Sequence, residues 1–464
     1  MKVLRWILIF VLAVSCTIGF SLPIPAQNAV SLISSDLASS GDDSSLSVLR
    51  FDPARVKAAL DQGDVAGAVE LLELGWKQQY ETYYEGRMRS RLLSADEIAR
   101  SLTRIANLTK KRTALIYSIS LPDALEVVLL LPNGNLSHHR IADANETALT
   151  ETIRIYRTGI VNVNSQPEDY LSAAQQLYQW IIAPLQSELQ AQQIDNLIFC
   201  LGKGLRSVPM AALHDGQQFL VEQYSLGVIP AFNLLDPHPS ILRGTRVLAM
   251  GASQFETETP LPAVPIEINT IRDLWQGESW LNQSFTLEQL KTRRSAYPFG
   301  IIHLATHATF APGSVQKSYI QFWDQALRID QLGELNLRSP IVQLLVLSAC
   351  RTALGDPNAE LGFAGLAVQS GAKAALASLW SVSDAGTLVM MVNFYQQLKN
   401  VSIKAEALRQ SQLAMLRGQL HLQSSPIQRA IDETSLPADL QNTVKDDLSH
   451  PYYWAAFTMI GNPW

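Results

Sequence analysis

Cysteine is scarce in this 464-residue chain, which contains only Cys16, Cys200 and Cys350. A secreted fold held together by disulfides has a much higher density of cysteine. The chain must therefore gain its stability from an apolar core, and its 47% hydrophobic residues are enough for two or three cored domains. We expect Cys200 to be a buried strand residue and Cys350 to remain a free thiol.

Runs of positive charge are also missing. The chain has 36 Lys and Arg against 42 Asp and Glu, a formal charge of −6, and no basic patch is interleaved with aromatic residues. Nucleic-acid-binding proteins carry a basic patch of that kind. The composition therefore argues against a nucleic-acid partner.

Long hydrophobic runs are limited to one, from Trp6 to Phe20, which is shorter than the roughly 20 residues that span a bilayer. Lys2 and Arg5 precede it, and a Pro-broken segment with small residues follows. This order is typical of a signal peptide, which we place at residues 1–29. It predicts a periplasmic or extracellular protein with no other membrane contact; the alternatives are an uncleaved anchor or a lipoprotein attached at Cys16.

The rest of the chain divides by its hydrophobic pattern. Residues 30–50 are rich in Ser, Asp and Gly and predict a flexible lead-in. Residues 51–112 predict a helical hairpin, like one tetratricopeptide unit, plus a third helix whose start is marked by Ser94 and Glu97. Residues 113–164 predict a mixed α/β connecting region, and 165–464 predict the main domain.

Continuous apolar runs alternate with helical segments after residue 194. Short runs of this kind fit strands that are buried on both faces, as in a parallel sheet covered by helices. The fold class is therefore predicted to be α/β, with a helical and mixed N-terminal part. The predicted strands are 196–202, 246–252, 300–306, 344–350 and 374–380.

Two histidines four residues apart, His303 and His307, could mark a metal site if they lay on a helix. The surrounding "GIIHLAT" is short, rich in Ile and Thr, and flanked by Pro and Gly, so it predicts a strand. On a strand the two residues lie about 13 Å apart, too far for zinc bonds of ~2.0–2.1 Å. We expect no metal site, with His303 in the core and His307 at the carboxyl end of the strand, where α/β proteins bind ligands.

Cys350 ends the next strongly apolar run, "LLVLSAC", 43 residues after His307. If the two strands are parallel neighbours, the thiol and the imidazole lie side by side and can act as nucleophile and base. The alternative is that Cys350 is a buried small hydrophobe, as most free cysteines are. Spacing alone leaves both interpretations open.

Several further blocks occur together in a fixed order. They are "GLRSVPMAALHDGQQFLVEQYSL" (204–226), "HLATHATF", "VLSACRTALGD", "GLAVQSGAKAALASLWSVSDAGT" and "HPYYWAAFTMIGNPW". Together they resemble the CHAT family of caspase-like cysteine peptidases, which belongs with caspases and separase. The resemblance covers residues 165–464 and implies a caspase-like three-layer sandwich with a mostly parallel sheet.

The resemblance also implies roles for individual residues. His307 corresponds to the second histidine of the family's "HxATH" block and Cys350 to the nucleophile of its "LSAC" block. The backbone amides of Ala308 and Cys350 would then form the oxyanion hole. The family usually has Gly at position 308, so the hole requires a backbone conformation that alanine can adopt.

Asp384, in "LWSVSDAGT", corresponds to an acidic residue that in separase pairs with the arginine before the scissile bond. The resemblance therefore implies a substrate pocket that selects a basic residue. The alternative is that Asp384 caps the following helix, and Ser383 is another candidate cap.

Two hypotheses of different class follow. The first is an exported cysteine endopeptidase that uses a His307–Cys350 dyad, cleaves a protein or peptide after a basic residue and needs no cofactor. The second is a catalytically weak or inactive module that binds proteins, which the Ala308 departure favours. The family's frequent need for a partner also favours the second hypothesis, and it allows an activating protein partner in the first.

Overall fold

The computed structural model describes residues 51–464 except 89, 241, 354, 423–426 and 428–446. The expected signal peptide at 1–29, with Cys16, and the lead-in at 30–50 lie outside the described residues. Within the described part, no helix is both long and apolar enough to cross a membrane.

A single large sheet organises the described part of the chain, and the predicted α/β class is confirmed. Seven of its twelve strand pairings are parallel. The strands are β1 Thr113–Ser120, β2 Leu125–Leu130, β3 Leu136–Ile141, β4 Asn196–Leu201, β5 Ser225–Ile229, β6 Val247–Gly251, β7 Glu278–Leu281, β8 Ile301–Phe310, β9 Tyr319–Gln321, β10 Ala326–Arg328, β11 Leu344–Thr352, β12 Ala374–Ser378 and β13 Phe457–Gly461. Their order is β10-β9-β8-β11-β12-β13-β5-β4-β1-β2-β3, with β6 beside β8 and β7 beside β6.

Helices cover this sheet in two groups. The α-helices of the described part are α1 Pro53–Asp61, α2 Val65–Tyr83, α3 Ala95–Thr109, α4 Glu146–Ile160, α5 Leu171–Ile181, α6 Gln186–Ala191, α7 Leu220–Gln223, α8 Val264–Trp275, α9 Leu287–Ala296, α10 Pro357–Ala364, α11 Leu366–Ser370, α12 Asp384–Leu398, α13 Lys404–Leu416 and α14 Pro451–Trp454. Helices α8, α12 and α13 pack on one another and on strands from β5 to β13, while α2, α3, α10 and α11 form the other group. A sheet between two helical layers buries both faces of its central strands, which explains their continuous apolar sequences.

The N-terminal helices begin where the sequence predicts. Asp52 and Asp64 cap α1 and α2 by accepting backbone N–H groups, and Ser94 and Glu97 form the predicted capping box of α3. Each cap satisfies amide groups that have no partner within the helix. In the connecting region, β2 and β3 pair as an antiparallel hairpin, and β1 joins this region to β4 in the same sheet.

A buried carboxylate, that of Glu73 in α2, connects the N-terminal helices to the sheet. Its oxygens accept the backbone N–H groups of Phe232 (2.9 Å) and Asn233 (2.8 Å) and the hydroxyl of Tyr117 (2.8 Å). Burial raises the pKa of Glu73, while the three donors oppose that shift. The helical hairpin is therefore held to the α/β core by a polar contact as well as by apolar packing.

Candidate active site

Strands β8 and β11 are parallel neighbours, which is the arrangement that a His–Cys site requires. Their register pairs Leu344 with Ile301 at one end and Cys350 with Ala308 near the other. The backbone positions of His307 and Cys350 are therefore one residue apart across this ladder.

A β-bulge interrupts the ladder just before the two candidate residues. Leu347 pairs with Leu304, but Ala349 pairs with His307, so β8 has two residues opposite Ser348. A bulge of this kind changes the direction in which the following side chains point. Paired residues of a sheet share a face and successive residues alternate, so His307 shares its face with Ala349, and Cys350 is one residue out of phase.

Both strands are longer than expected. His307 and Cys350 were each expected at a strand end, but β8 continues to Phe310 and β11 to Thr352. The extension exists because residues 308–309 form an antiparallel ladder with β9, which the apolar pattern does not reveal. His307 is thus in the last half of its strand rather than at the strand's end.

His307 is half-buried, and its ring is held by the loop that follows β6. Its Nε2 lies 2.8 Å from the backbone carbonyl oxygen of Thr259, and its ring centroid lies 4.7 Å from that of Phe255. A carbonyl oxygen can only accept, so the neutral imidazole carries its proton on Nε2. Nδ1 is therefore left as the basic nitrogen.

Cys350 is fully buried in this conformation. Its Sγ donates to the carbonyl oxygen of Leu347 at 3.4 Å, and burial raises the pKa of its thiol to about 12. Among the described residues, no hydrogen bond joins Cys350 to His307. The structure thus places the predicted nucleophile and base on neighbouring strands but leaves the thiol protonated and turned into the interior.

Ala308, the expected oxyanion donor, lies between two strands. It pairs with Cys350 on β11 and with Ile320 on β9, and it is not among the described residues with left-handed backbone angles. The methyl group at this position therefore causes no backbone strain, and the departure from Gly is accommodated.

Asp384 is the first residue of α12, and Ser383 is the residue that caps this helix. The Ser383 hydroxyl accepts the N–H of Gly386 at 3.1 Å, so of the two candidate caps the structure selects Ser383. The Asp384 carboxylate instead accepts the N–H of Ala263. Burial raises the pKa of Asp384 to about 7; the Ala263 amide opposes the shift and the charge of Glu267 adds to it.

The loop between β6 and α8, residues 252–263, contributes contacts that sequence reasoning missed. It supplies the Thr259 carbonyl and the Phe255 ring to His307 and the Ala263 amide to Asp384. Its one sequence signal is its position after the carboxyl end of a buried strand, the location where α/β sheets bind ligands. The loop therefore contacts both His307 and Asp384, two of the predicted functional residues.

A cleft of about 480 Å3 lies beside this loop, lined by residues 254–258 and 321–324. Its walls contain the Phe255 ring that packs on His307 and the exposed indole of Trp323. All the charged side chains in its lining are acidic: Glu256, Glu258 and Asp324.

The remaining sequence expectations concern buried residues. His303 is fully buried with both nitrogens bonded, Nδ1 to the hydroxyl of Tyr395 (3.2 Å) and Nε2 to Glu267 (2.9 Å), which confirms its core position. Cys200 is a buried residue of β4, and both it and Cys350 are free thiols. Among the described residues, no group of three potential ligands is placed to hold a metal ion.

Comparison with known proteins places this α/β domain in a family. The CHAT domain family model matches residues 171–462, more than half of the chain. The chain belongs to the CHAT domain family. No curated protein matches it.

Solved structures with a similar arrangement share little sequence with the chain. Separase in the Saccharomyces cerevisiae separase–securin complex matches with 11% identity and a TM-score of 0.48, over 86% of this chain and 33% of the separase chain. The Arg-specific cysteine proteinase gingipain R matches with 10% identity and a TM-score of 0.36, over 68% and 74% of the two chains. The protein thus spans about a third of the separase chain that it matches.

Proposed function

We propose that this protein is a cysteine endopeptidase in which Cys350 is the nucleophile and His307 the base, and that it cleaves after a basic residue. The observation that carries the proposal is the β8–β11 register, which sets these two residues one position apart on parallel neighbouring strands. Membership of the CHAT family supports the same two residues.

The proposed reaction is acyl transfer. Nδ1 of His307 takes the proton of the Cys350 thiol, the thiolate sulfur attacks the peptide carbonyl carbon, and the C–N bond then breaks as His307 returns the proton to the leaving amine. Water hydrolyses the resulting thioester and releases Cys350. The Ala308 and Cys350 amides would stabilise the oxyanion, as the family resemblance implies.

This reaction requires a change at the end of β11, because Cys350 Sγ is bonded to the Leu347 carbonyl and is buried. The thiol must leave that carbonyl and turn to the face of His307. We propose that a bound protein or peptide substrate, or an activating protein partner, stabilises the turned conformation.

The preference for a basic residue is supported by charge. The Asp384 carboxylate accepts a hydrogen bond from the Ala263 amide, and burial raises its pKa to about 7. A cation bound beside it would favour the ionised carboxylate. The cleft beside His307 adds three carboxylates and an exposed indole, which attract Lys and Arg side chains by charge and by cation–π contact.

The test compares cleavage of fluorogenic peptides that end in Arg or in Asp before the reporter. We expect Arg peptides to be cleaved, and Cys350→Ala and His307→Ala to abolish the signal. Cys200→Ala, which removes a buried thiol on β4, is the matched control and should retain it. Equal turnover by the unmodified protein and Cys350→Ala would refute the proposal. Asp384→Asn should lower the preference for Arg peptides over Asp peptides.

A second candidate function is a protein-binding module without catalysis. The burial of Cys350, its high pKa and the lack of a bond to His307 in the described structure favour it. Binding of a protein ligand that is unchanged by Cys350→Ala and His307→Ala, with no cleavage of that ligand, would support this alternative. On sequence grounds we also propose that the protein is exported, which N-terminal sequencing of the secreted product would test.

A further inference from the structure

The carboxyl-terminal halves of β8 and β11 have one face that is open to solvent, and the candidate base lies on it. Burial alternates along both strands after the bulge: Ala308 and Phe310 on β8 and Cys350 and Thr352 on β11 are buried, and the residues between them are not. This alternation, which strand geometry requires, separates a buried face from an open face. The residues of the open face are His307, Thr309, Ala349 and Arg351.

Arg351, which directly follows the candidate nucleophile in the chain, is the most exposed residue of the open face. Ala349 pairs with His307 across the ladder, and Arg351 lies two residues further along, where it pairs with Thr309. Two residues along a strand and one strand across correspond to a separation of about 8 Å between the backbone positions of His307 and Arg351. An extended peptide advances about 3.3–3.6 Å per residue, so this separation equals about two residues of a substrate.

The guanidinium of Arg351 has no bonded counter-charge in the described part of the chain, where no ion pair or hydrogen bond joins it to another residue. Its charge is near enough to the Tyr319 phenol to oppose the rise in pKa that burial causes there. The carboxylate that binds this phenol is Glu258, whose Oε1 accepts the Tyr319 hydroxyl at 3.1 Å. The N–H donors of Arg351 are therefore free to bind an acidic group of a ligand.

We propose that Arg351 is a specificity-determining residue that binds an Asp or Glu side chain of the substrate within about two residues of the scissile bond. The inference rests on the proposed endopeptidase function, because it assigns a substrate contact to the same site. Catalysis requires Cys350 to turn to the face of His307, and Arg351 already lies on that face, so a peptide held there lies beside its guanidinium. The planar fork of a guanidinium matches a carboxylate. Together with Asp384, the site then selects substrates in which a basic and an acidic residue are close neighbours.

The test uses the full chain and internally quenched peptides that keep Arg before the scissile bond. Glu, Gln or Lys is placed in turn at the two positions before that Arg and at the two positions after the scissile bond. At one of these positions we expect kcat/KM to be about fivefold higher for Glu than for Gln, and lowest for Lys, because a charge pair at an exposed site has an effect of this size. The preference should shrink at about 0.5 M salt, which screens exposed charges.

Substitutions of Arg351 distinguish a substrate contact from a structural role. Arg351→Glu should reverse the preference, so that Lys is favoured over Glu at the same position. Arg351→Lys should retain part of the preference, because the charge remains but the planar fork is lost. Arg104→Gln is the matched control: Arg104 is exposed on α3, which packs on β1, six strands from β8, so the preference should not change.

Binding of fluorescein-labelled forms of these peptides to Cys350→Ala, measured by anisotropy, distinguishes this inference from the function on which it rests. Cleavage with equal kcat/KM for Glu, Gln and Lys at all four positions, or a Glu preference that Arg351→Glu leaves unchanged, overturns the assignment of Arg351 and not the endopeptidase proposal. If no peptide is cleaved, the endopeptidase proposal fails. A Glu preference in binding that is reversed by adding Arg351→Glu then still supports the contact, and equal affinities overturn it as well.

Discussion

The reactivity of Cys350 in the native protein is the most direct consequence of the structure. Burial raises the pKa of its thiol from 9.0 to about 12, which lowers the thiolate fraction at pH 8 by about 10³-fold. Only the thiolate reacts with alkylating agents. We therefore expect native Cys350 to be alkylated at least about 10³-fold more slowly than the same residue in the unfolded chain, and its complete burial adds to this protection.

The assay is iodoacetamide labelling at pH 8, in buffer and in urea, with the modified residue identified by peptide mass. Cys200 is the matched internal control, since it is equally buried and its thiol pKa is raised well above its ordinary value. A native rate for Cys350 within tenfold of the unfolded rate would show that the burial argument is wrong. If the endopeptidase proposal is correct, a bound Arg-terminated peptide should accelerate labelling of Cys350 and leave Cys200 unchanged.

Three other predictions concern the buried polar contacts. Glu73→Gln should lower the free energy of unfolding by about 2 kcal/mol in urea titration, because an amide –NH2 then faces a buried N–H; a change below about 0.5 kcal/mol would contradict this. Asp384→Asn should raise the free energy of unfolding by about 2 kcal/mol at pH 8 and have little effect at pH 4. The stability that protonated Asp384 contributes is present below pH 3.8 and is lost as the pH rises to about 7. A larger gain at pH 4 than at pH 8 would show that the assigned sign is wrong. Tyr84→Phe should cost about 1 kcal/mol, because its hydroxyl donates to the buried Gly362 carbonyl at 3.0 Å, and an unchanged Tm would argue against that bond.

Much of the fold was predictable because its signals are local. The apolar runs at β4, β6, β8, β11 and β12 predict buried strands, and burial of both faces by helices explains why those runs are continuous. The caps of α1 to α3 were predictable for the same reason, since each depends on residues within one turn.

The relation between His307 and Cys350 could be predicted only in part. The two apolar runs indicated the strands but not that they are neighbours, and the bulge opposite Ser348 determines the phase of their side chains. The sequence "HLATHATF" mixes small, polar and aromatic residues. Its hydrophobic pattern therefore does not reveal whether the strand pairing is shifted by one residue. The loop at 252–263 was missed because both of its hydrogen bonds to His307 and Asp384 use backbone groups, which any sequence can supply.

The proposed activity therefore depends on a change of one residue in phase at the end of β11. Two hydrogen bonds fix this strand end: Ser378 Oγ donates to the Cys350 carbonyl at 3.2 Å, and Thr352 N–H donates to the Leu379 carbonyl at 3.3 Å. Breaking both costs about 2 kcal/mol, and exposing the fully buried Cys350 adds to that cost, so without a ligand the turned conformation is populated as rarely as the slow alkylation of Cys350 requires. A ligand makes the turned conformation dominant only through contacts that exist in that conformation alone, and the contact at Asp384, which is available in both conformations, is not one of them. His307 and the Asp384 carboxylate are already held by one loop, so the movement required for catalysis is confined to Cys350 and its neighbours.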